Sequence, residues 1–227
     1  MKTKNSPDNL VNTISATMLL TSDCSHCPTV LAGLMPLIKS GQLSSLEVIN
    51  LDQQPQLAEQ YNTRTVPWVQ FKFALGQFHI EGLHSEKELQ QWCDNSKTLK
   101  GISHYCLMLL DQGKINELNK LINDYPNWLH SMLLLVEDIE TSLTIRVGIS
   151  AIFESLEATQ FEPIYQALLL MTKNNLARIR SDACFYLSLT KNPNAILTLT
   201  NCLKDENAEV QEIAADAIAD LEAIEKN

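Results

Sequence analysis

The spacing of apolar residues changes near the middle of the chain. In residues 10–95, short apolar runs of strand length alternate with segments whose apolar positions recur at helical spacing. From about Gly101 onward, every apolar pattern is helical. The change predicts two domains, an α/β domain with a mixed sheet over residues 1–97 and an all-α domain over residues 98–227.

The first domain is predicted to have the element order βαβαββα. The predicted strands are residues 17–21, 45–51, 66–73 and 77–81. The second of these is an apolar run typical of a buried strand, and the third alternates with period two, as a half-buried strand does. The predicted helices are residues 29–39, 54–61 and 85–93, the last with Ser85 and Glu88 at capping-box spacing.

Cys24-Ser25-His26-Cys27 lies where the first strand gives way to the first helix. Two cysteines at this spacing can close a small reversible disulfide. The positive end of the helix favours a thiolate at Cys24. A protonated His26 would favour the thiolate further, whereas the neighbouring Asp23 would oppose it. The motif therefore predicts redox chemistry.

Residues from about 10 to 96 resemble the thioredoxin family. The resemblance rests on this motif, on Val66-Pro67 and on the order of elements. The resemblance implies a thiol–disulfide oxidoreductase in which Cys24, Cys27 and His26 act on a client disulfide. It also implies that the proline, Pro67, is cis and packs beside the disulfide. The positions implied to meet the substrate are the backbone of Val66 and the side chain of Trp68.

The chain also departs from the thioredoxin pattern. Met18 stands where the family has a buried Asp, and Val48 stands where it has the Lys partner of that Asp. Because these two groups help to move protons during disulfide exchange, the departure leaves an alternative open. In that alternative the protein is a non-catalytic or redox-switched interaction adaptor.

The helical half contains a repeated pattern. Ile145, Ile179 and Val210 occupy matching places in three helices, with offsets of 34 and 31 residues. A proline is expected to open the helix before each of them, at Pro126, Pro163 and Pro193. A period in this range predicts stacked helix pairs. The last two units resemble HEAT repeats, which implies an extended surface that binds a protein partner.

Charged residues are distributed unevenly between the two halves of the chain, and this distribution argues against some classes of function. Residues 1–100 hold 8 Lys/Arg against 9 Asp/Glu, and residues 101–227 hold 9 against 18. An acidic second half argues against nucleic acid, because phosphate binding needs a basic surface. The residues after Lys2 and Lys4 lack the apolar region of a signal peptide, and no run is long enough to span a membrane. We therefore expect a cytoplasmic protein.

The remaining cysteines and histidines do not form a metal-binding pattern. Four cysteines occur singly in apolar helical patterns and are expected to be small buried side chains: Cys93, Cys106, Cys184 and Cys202. No second Cys/His cluster has metal-ligand spacing, so we expect neither a metal nor a cofactor. The sequence thus predicts a cytosolic oxidoreductase with a CSHC dithiol, whose helical repeats bind a client protein that carries a disulfide or thiol.

Overall fold

The structure is a computed structural model that describes residues 13–225. Residues 2–10, on which the expectation about a signal peptide rests, lie outside them. The chain divides into two compact units, Met1–Tyr105 and Cys106–Asn227. The division falls inside helix α4, Leu99–Asp111, and the boundary expected at residues 97 and 98 lies just before this helix begins. Tyr105 explains the difference, because its ring stacks on Phe78 of the α/β unit at 4.8 Å.

The α/β unit has the predicted element order. Its elements are β1 (Ser15–Leu20), α1 (Cys27–Lys39), β2 (Ser45–Asn50), α2 (Gln56–Gln60), β3 (Trp68–Phe73), β4 (Gly76–Glu81) and α3 (Glu86–Asn95). The four strands form one mixed sheet in the order β2-β1-β3-β4. Strand β1 pairs with β2 in parallel and with β3 antiparallel, and β3 pairs with β4 antiparallel.

Two expectations about burial within the sheet were wrong. Strand β2 is mostly exposed, with only Ile49 buried, because it lies at one edge of the described sheet. Strand β3 is buried on both faces over its first four residues, because it lies between β1 and β4. Position in the sheet, which depends on distant pairing, overrode the local pattern.

Helices α1 and α3 pack closely together. A Cβ on Gly33 would lie 2.8 Å from a methyl carbon of Leu89 and 3.3 Å from the backbone of Glu86, so a larger residue here would force the buried Leu89 side chain to move. The predicted capping box at the start of α3 is confirmed, since Ser85 accepts a hydrogen bond from the Glu88 amide and Glu88 accepts one from the Ser85 amide. This packing and capping stabilise the helix that begins at the cysteines.

The second unit consists of helices that pack in sequence. Its further helices are α5 (Ile115–Asp124), α6 (Trp128–Glu137), α7 (Leu143–Glu154), α8 (Tyr165–Met171), α9 (Ala177–Leu189), α10 (Ile196–Cys202) and α11 (Ala208–Glu225). The pairs α6–α7, α8–α9 and α10–α11 are in contact, and α9 also packs against α7 and α11. The matching apolar residues Ile145, Ile179 and Val210 are all buried.

The three prolines differ in how they begin their helices. Pro193 opens a 3₁₀ turn, Pro193–Ala195, that continues directly into α10, as expected. Pro163 lies inside a longer 3₁₀ segment that leads into α8, and Pro126 precedes the first residue of α6 by two positions.

A buried arginine joins neighbouring helix pairs. The Arg180 guanidinium donates to both carboxylate oxygens of Asp205 at 2.7 Å and to the carbonyl oxygens of Asn174 and Asn175 at 2.9 and 3.2 Å. The Arg180 side chain is only 9% exposed. Since a buried charge needs partners, this network connects α9 to the segments on either side of it.

We expect Asp205→Asn to lower the free energy of unfolding by about 2–3 kcal/mol, because it removes a charged partner from a buried guanidinium. Urea unfolding followed by circular dichroism would measure the change. The hydrogen bond from Arg180 holds the pKa of Asp205 below its usual value. The stabilisation is therefore fully present above the pKa of an unfolded Asp, about 3.9, and is lost as pH falls through the folded-state pKa.

Glu206→Gln is the matched control. Glu206 lies 3.6 Å from the Arg180 guanidinium but is 87% exposed, so its removal should cost less than about 0.5 kcal/mol. Equal destabilisation by the two substitutions would contradict the assignment of Asp205 as the principal partner of Arg180.

Candidate functional site

The two cysteines of the CSHC motif lie in the connection from β1 to α1. Cys24 belongs to the loop, and Cys27 is the first residue of α1. Their sulfurs are joined in a disulfide, with the two Cα atoms 5.5 Å apart. The structure therefore brings together the pair that the sequence singled out, in a form that can be redox-active.

The two sulfurs differ in their surroundings. Cys24 is partly exposed, whereas Cys27 is buried at 2% exposure. The backbone N–H of Cys27 donates to Cys24 Sγ at 3.1 Å, and this amide belongs to the first turn of α1, where N–H groups have no partner within the helix. Both this hydrogen bond and the helix dipole would stabilise a thiolate on Cys24. The arrangement favours Cys24 as the attacking sulfur.

The loop before Cys24 is held by residues that the sequence analysis did not select. The Ser22 amide donates to an Asp52 carboxylate oxygen at 2.6 Å, and the Asn50 amide group donates to the Ser22 hydroxyl at 3.2 Å. Hydrogen bonds from Ser22 also lower the pKa of Asp52. Parallel pairing of β1 and β2 offers a signal for these residues, because the carboxyl ends of parallel strands meet at one edge of a sheet.

Pro67 comes to this same edge through the antiparallel pairing of β1 with β3. Leu19 is the partner of Trp68, so the position before Trp68 falls opposite the end of β1. The Val66–Pro67 peptide bond is cis, which confirms the assignment from the resemblance. Pro67 is buried and its carbonyl accepts a hydrogen bond from the Gly82 amide at 2.8 Å.

The Trp68 side chain, expected at the substrate surface, is buried at 2% exposure. Its ring makes an edge contact with Tyr61 and stacks on His79, each with a centroid distance of 5.1 Å. Leu19 and Ile49 form a buried cluster with it, and partly buried Val66 packs against that cluster. In this conformation the indole belongs to the buried core and not to the surface that meets a substrate.

His26 is exposed and occupies the N-cap position of α1, between the two cysteines. Asp23, on the other side of Cys24, is also exposed. Met18 is fully buried in β1 and lies directly across from Val48 of β2. The two positions at which the thioredoxin family has its Asp and Lys are therefore cross-strand neighbours here, and both are apolar.

The other four cysteines are buried and carry free thiols, as the sequence predicts. Burial raises the pKa of Cys93 and of Cys106, so these thiols resist ionisation. Among the described residues, no three His, Cys, Asp or Glu side chains come together in a way that could hold a metal ion. No helix in that part of the chain has both the length and the apolar character needed to cross a bilayer.

We predict that the reduced protein is alkylated at Cys24 at least about tenfold faster than at Cys27, since only Cys24 combines exposure with a stabilised thiolate. A time course with iodoacetamide, followed by sequencing of the peptide that contains both cysteines, would measure the two rates. In Cys24→Ser, Cys27 should retain its slow rate. Equal rates in the unmodified chain would contradict the assignment of Cys24 as the attacking sulfur.

Comparison of the chain with protein-family models finds no match, and comparison with curated proteins likewise finds none. The function is therefore argued from the chemistry and placement of these residues.

Proposed function

We propose that the protein is a cytoplasmic thiol–disulfide oxidoreductase with a thioredoxin-like domain and a HEAT-like helical domain that binds its client. The observation that carries the proposal is the disulfide between a partly exposed Cys24 and a buried Cys27 at the start of α1. The mixed sheet and the arrival of Pro67 at the same edge add support.

In the reductive direction, the Cys24 thiolate attacks one sulfur of a client disulfide. A bond forms between Cys24 and that sulfur, the client S–S bond breaks, and the second client sulfur leaves as a thiolate. Cys27 then loses its proton and attacks Cys24 Sγ, which forms the Cys24–Cys27 disulfide and releases the first client sulfur. The client disulfide gains two electrons, and the cysteine pair loses two.

The neighbouring backbone would position the client. In the proposal, Val66 and Pro67 hold an extended client segment beside the sulfurs, and His26 stabilises the Cys24 thiolate when protonated. The Trp68 ring would support Val66, because Val66 packs against the buried cluster that Trp68 forms with Leu19 and Ile49. Ser22, Asn50 and Asp52 would be positioning residues, because their hydrogen bonds hold the loop that precedes Cys24.

The helical unit would supply selectivity. Stacked helix pairs make an extended surface, and tethering this surface to the cysteines raises the local concentration of a bound client. Exposed apolar side chains are available on it, among them Leu143 and Val147, one turn apart on α7 and 70% and 60% exposed. The helical half carries 18 Asp/Glu against 9 Lys/Arg, and this acidic balance suits a client with basic character.

A second candidate function is a redox-switched adaptor. Met18 and Val48 favour it, because neither can accept or donate a proton while Cys27 attacks. In this function the disulfide opens and closes slowly, and its state changes partner binding on the helical surface. Equal partner affinity of the oxidised and reduced forms would exclude it.

Reduction of insulin by dithiothreitol tests the enzyme directly, by the turbidity of the released chains. We expect the wild-type protein to accelerate the reaction by at least about tenfold and Cys24→Ser to abolish the acceleration, because that variant lacks the attacking sulfur. Cys93→Ala is the control, since Cys93 is a buried thiol of the same unit and takes no part. A wild-type rate no greater than that of dithiothreitol alone would refute the proposal.

The reduction potential of the Cys24–Cys27 pair determines the direction of electron flow. Equilibration against glutathione or dithiothreitol buffers would give the value. A potential near about −270 mV would make the protein a reductant, and one near about −120 mV would make it an oxidant.

A further inference from the structure

Strand β2 leaves one edge of the sheet unpaired within residues 13–225, because it is the last strand in the order β2-β1-β3-β4. The Leu51 amide, just after β2, donates to the Leu20 carbonyl of β1 at 2.9 Å. Every second residue before Leu51 therefore also turns its backbone groups towards β1. The alternate residues, Leu46 and Val48, direct their N–H and C=O groups away from the sheet.

The β2 edge lacks the features that usually keep strands of different chains apart, which are lysine, proline, bulges or a covering element. Its sequence is Ser-Leu-Glu-Val-Ile-Asn, with Glu47 as the single charged residue, and it pairs with β1 in an unbroken register. The opposite edge differs, because on β4 the His79 amide donates to the Tyr105 hydroxyl at 3.4 Å. Strand β2 is therefore the edge better suited to accept another strand.

An apolar stripe on α1 runs beside the same edge. Leu31, Met35 and Ile38 recur at helical spacing, and each is at least partly exposed, Met35 at 39%. Gly33 faces α3, and at 3.6 residues per turn the stripe lies on the opposite flank of α1. Since α3 contacts β4 through an aromatic pair and α1 contacts β2, this flank lies towards the open edge, where Val48 is 43% exposed.

We infer that β2 pairs with β2 of a second copy of this chain, antiparallel about a twofold axis at Val48, and joins the two sheets into one. The outward N–H and C=O groups of Val48 then bond to those of its copy. This register places Glu47 opposite Ile49 of the second copy. An axis at Glu47 would instead set two carboxylates directly opposite each other, which is destabilising.

A second copy fits this edge better than an isolated extended segment does. A twofold axis normal to the sheet keeps both α1 helices on the same face, so their apolar stripes cover each other, whereas a lone strand leaves the stripe without a helical partner. Residues 1–100 hold 8 Lys/Arg against 9 Asp/Glu, so two α/β units meet with little electrostatic repulsion. Because the pairing is isologous, it uses the same edge of both copies and closes at a dimer.

Sedimentation velocity of the full chain over a concentration series tests the pairing. We expect the wild type to form a species of twice the 25.5 kDa chain mass. In Val48→Lys the dimer dissociation constant should rise at least about tenfold, because two ammonium groups then meet at the axis. The side chain at this position is exposed in the single chain, so the fold accommodates lysine there.

Gln77→Lys is the matched control, since it adds the same charge to the other edge strand, β4, and should leave the dissociation constant unchanged. A monomeric wild-type chain would overturn the inference and would assign the β2 edge to another segment of the same chain or to a client strand. A dimer that Val48→Lys weakens no more than Gln77→Lys does would overturn it as well.

A cysteine at the axis identifies the interface without relying on weakened association. In a hydrogen-bonded antiparallel pair the two Cα atoms lie about 5.5 Å apart, within the range of about 4.4–6.8 Å that a disulfide spans. We expect Val48→Cys, in a Cys24→Ser/Cys27→Ser chain, to give a disulfide-linked dimer on oxidation, visible as a reducible band in gel electrophoresis. Gln77→Cys in the same chain should give none. Absence of the linked dimer in Val48→Cys, or equal linkage at the two positions, would overturn the inference.

Discussion

Strand β1 is paired on both of its edges, and the candidate site depends on this constraint. Its parallel partner β2 brings Asn50 and Asp52 to the loop that follows β1, where they hold Ser22. Its antiparallel partner β3 brings Pro67 to the same edge of the sheet. Neither neighbour supplies a sulfur, but together they determine where the cysteine loop lies and which residues surround it.

The order of elements in the first unit could be predicted from the sequence because each element carries its own periodicity and boundary signals. Burial of individual strands could not, since it depends on which strand lies beside which. The local pattern of β2 indicated a buried strand and that of β3 a half-buried one, and the sheet order reversed both. The pairing of helices in the second unit could also be predicted from local signals, because the same apolar position recurs at Ile145, Ile179 and Val210.

The candidate site shows the same division between local and distant information. The CSHC motif is local, so its place at the start of α1 followed from the sequence. The contact of Ser22 with Asp52 joins residues 30 positions apart, so no local pattern indicates it.

The backbone N–H of Cys27 contributes both to the helix and to the candidate site. It belongs to the opening turn of α1, and it donates its proton to Cys24 Sγ. Its hydrogen bond is strongest when that sulfur carries a full negative charge. Thermodynamic linkage follows: whatever stabilises the start of α1 also favours the thiolate, and ionisation of the thiol in turn stabilises the helix. Because the thiolate belongs to the reduced form, the interaction that orders the first turn of α1 also favours reduction of the cysteine pair, and the same free energy contributes to both.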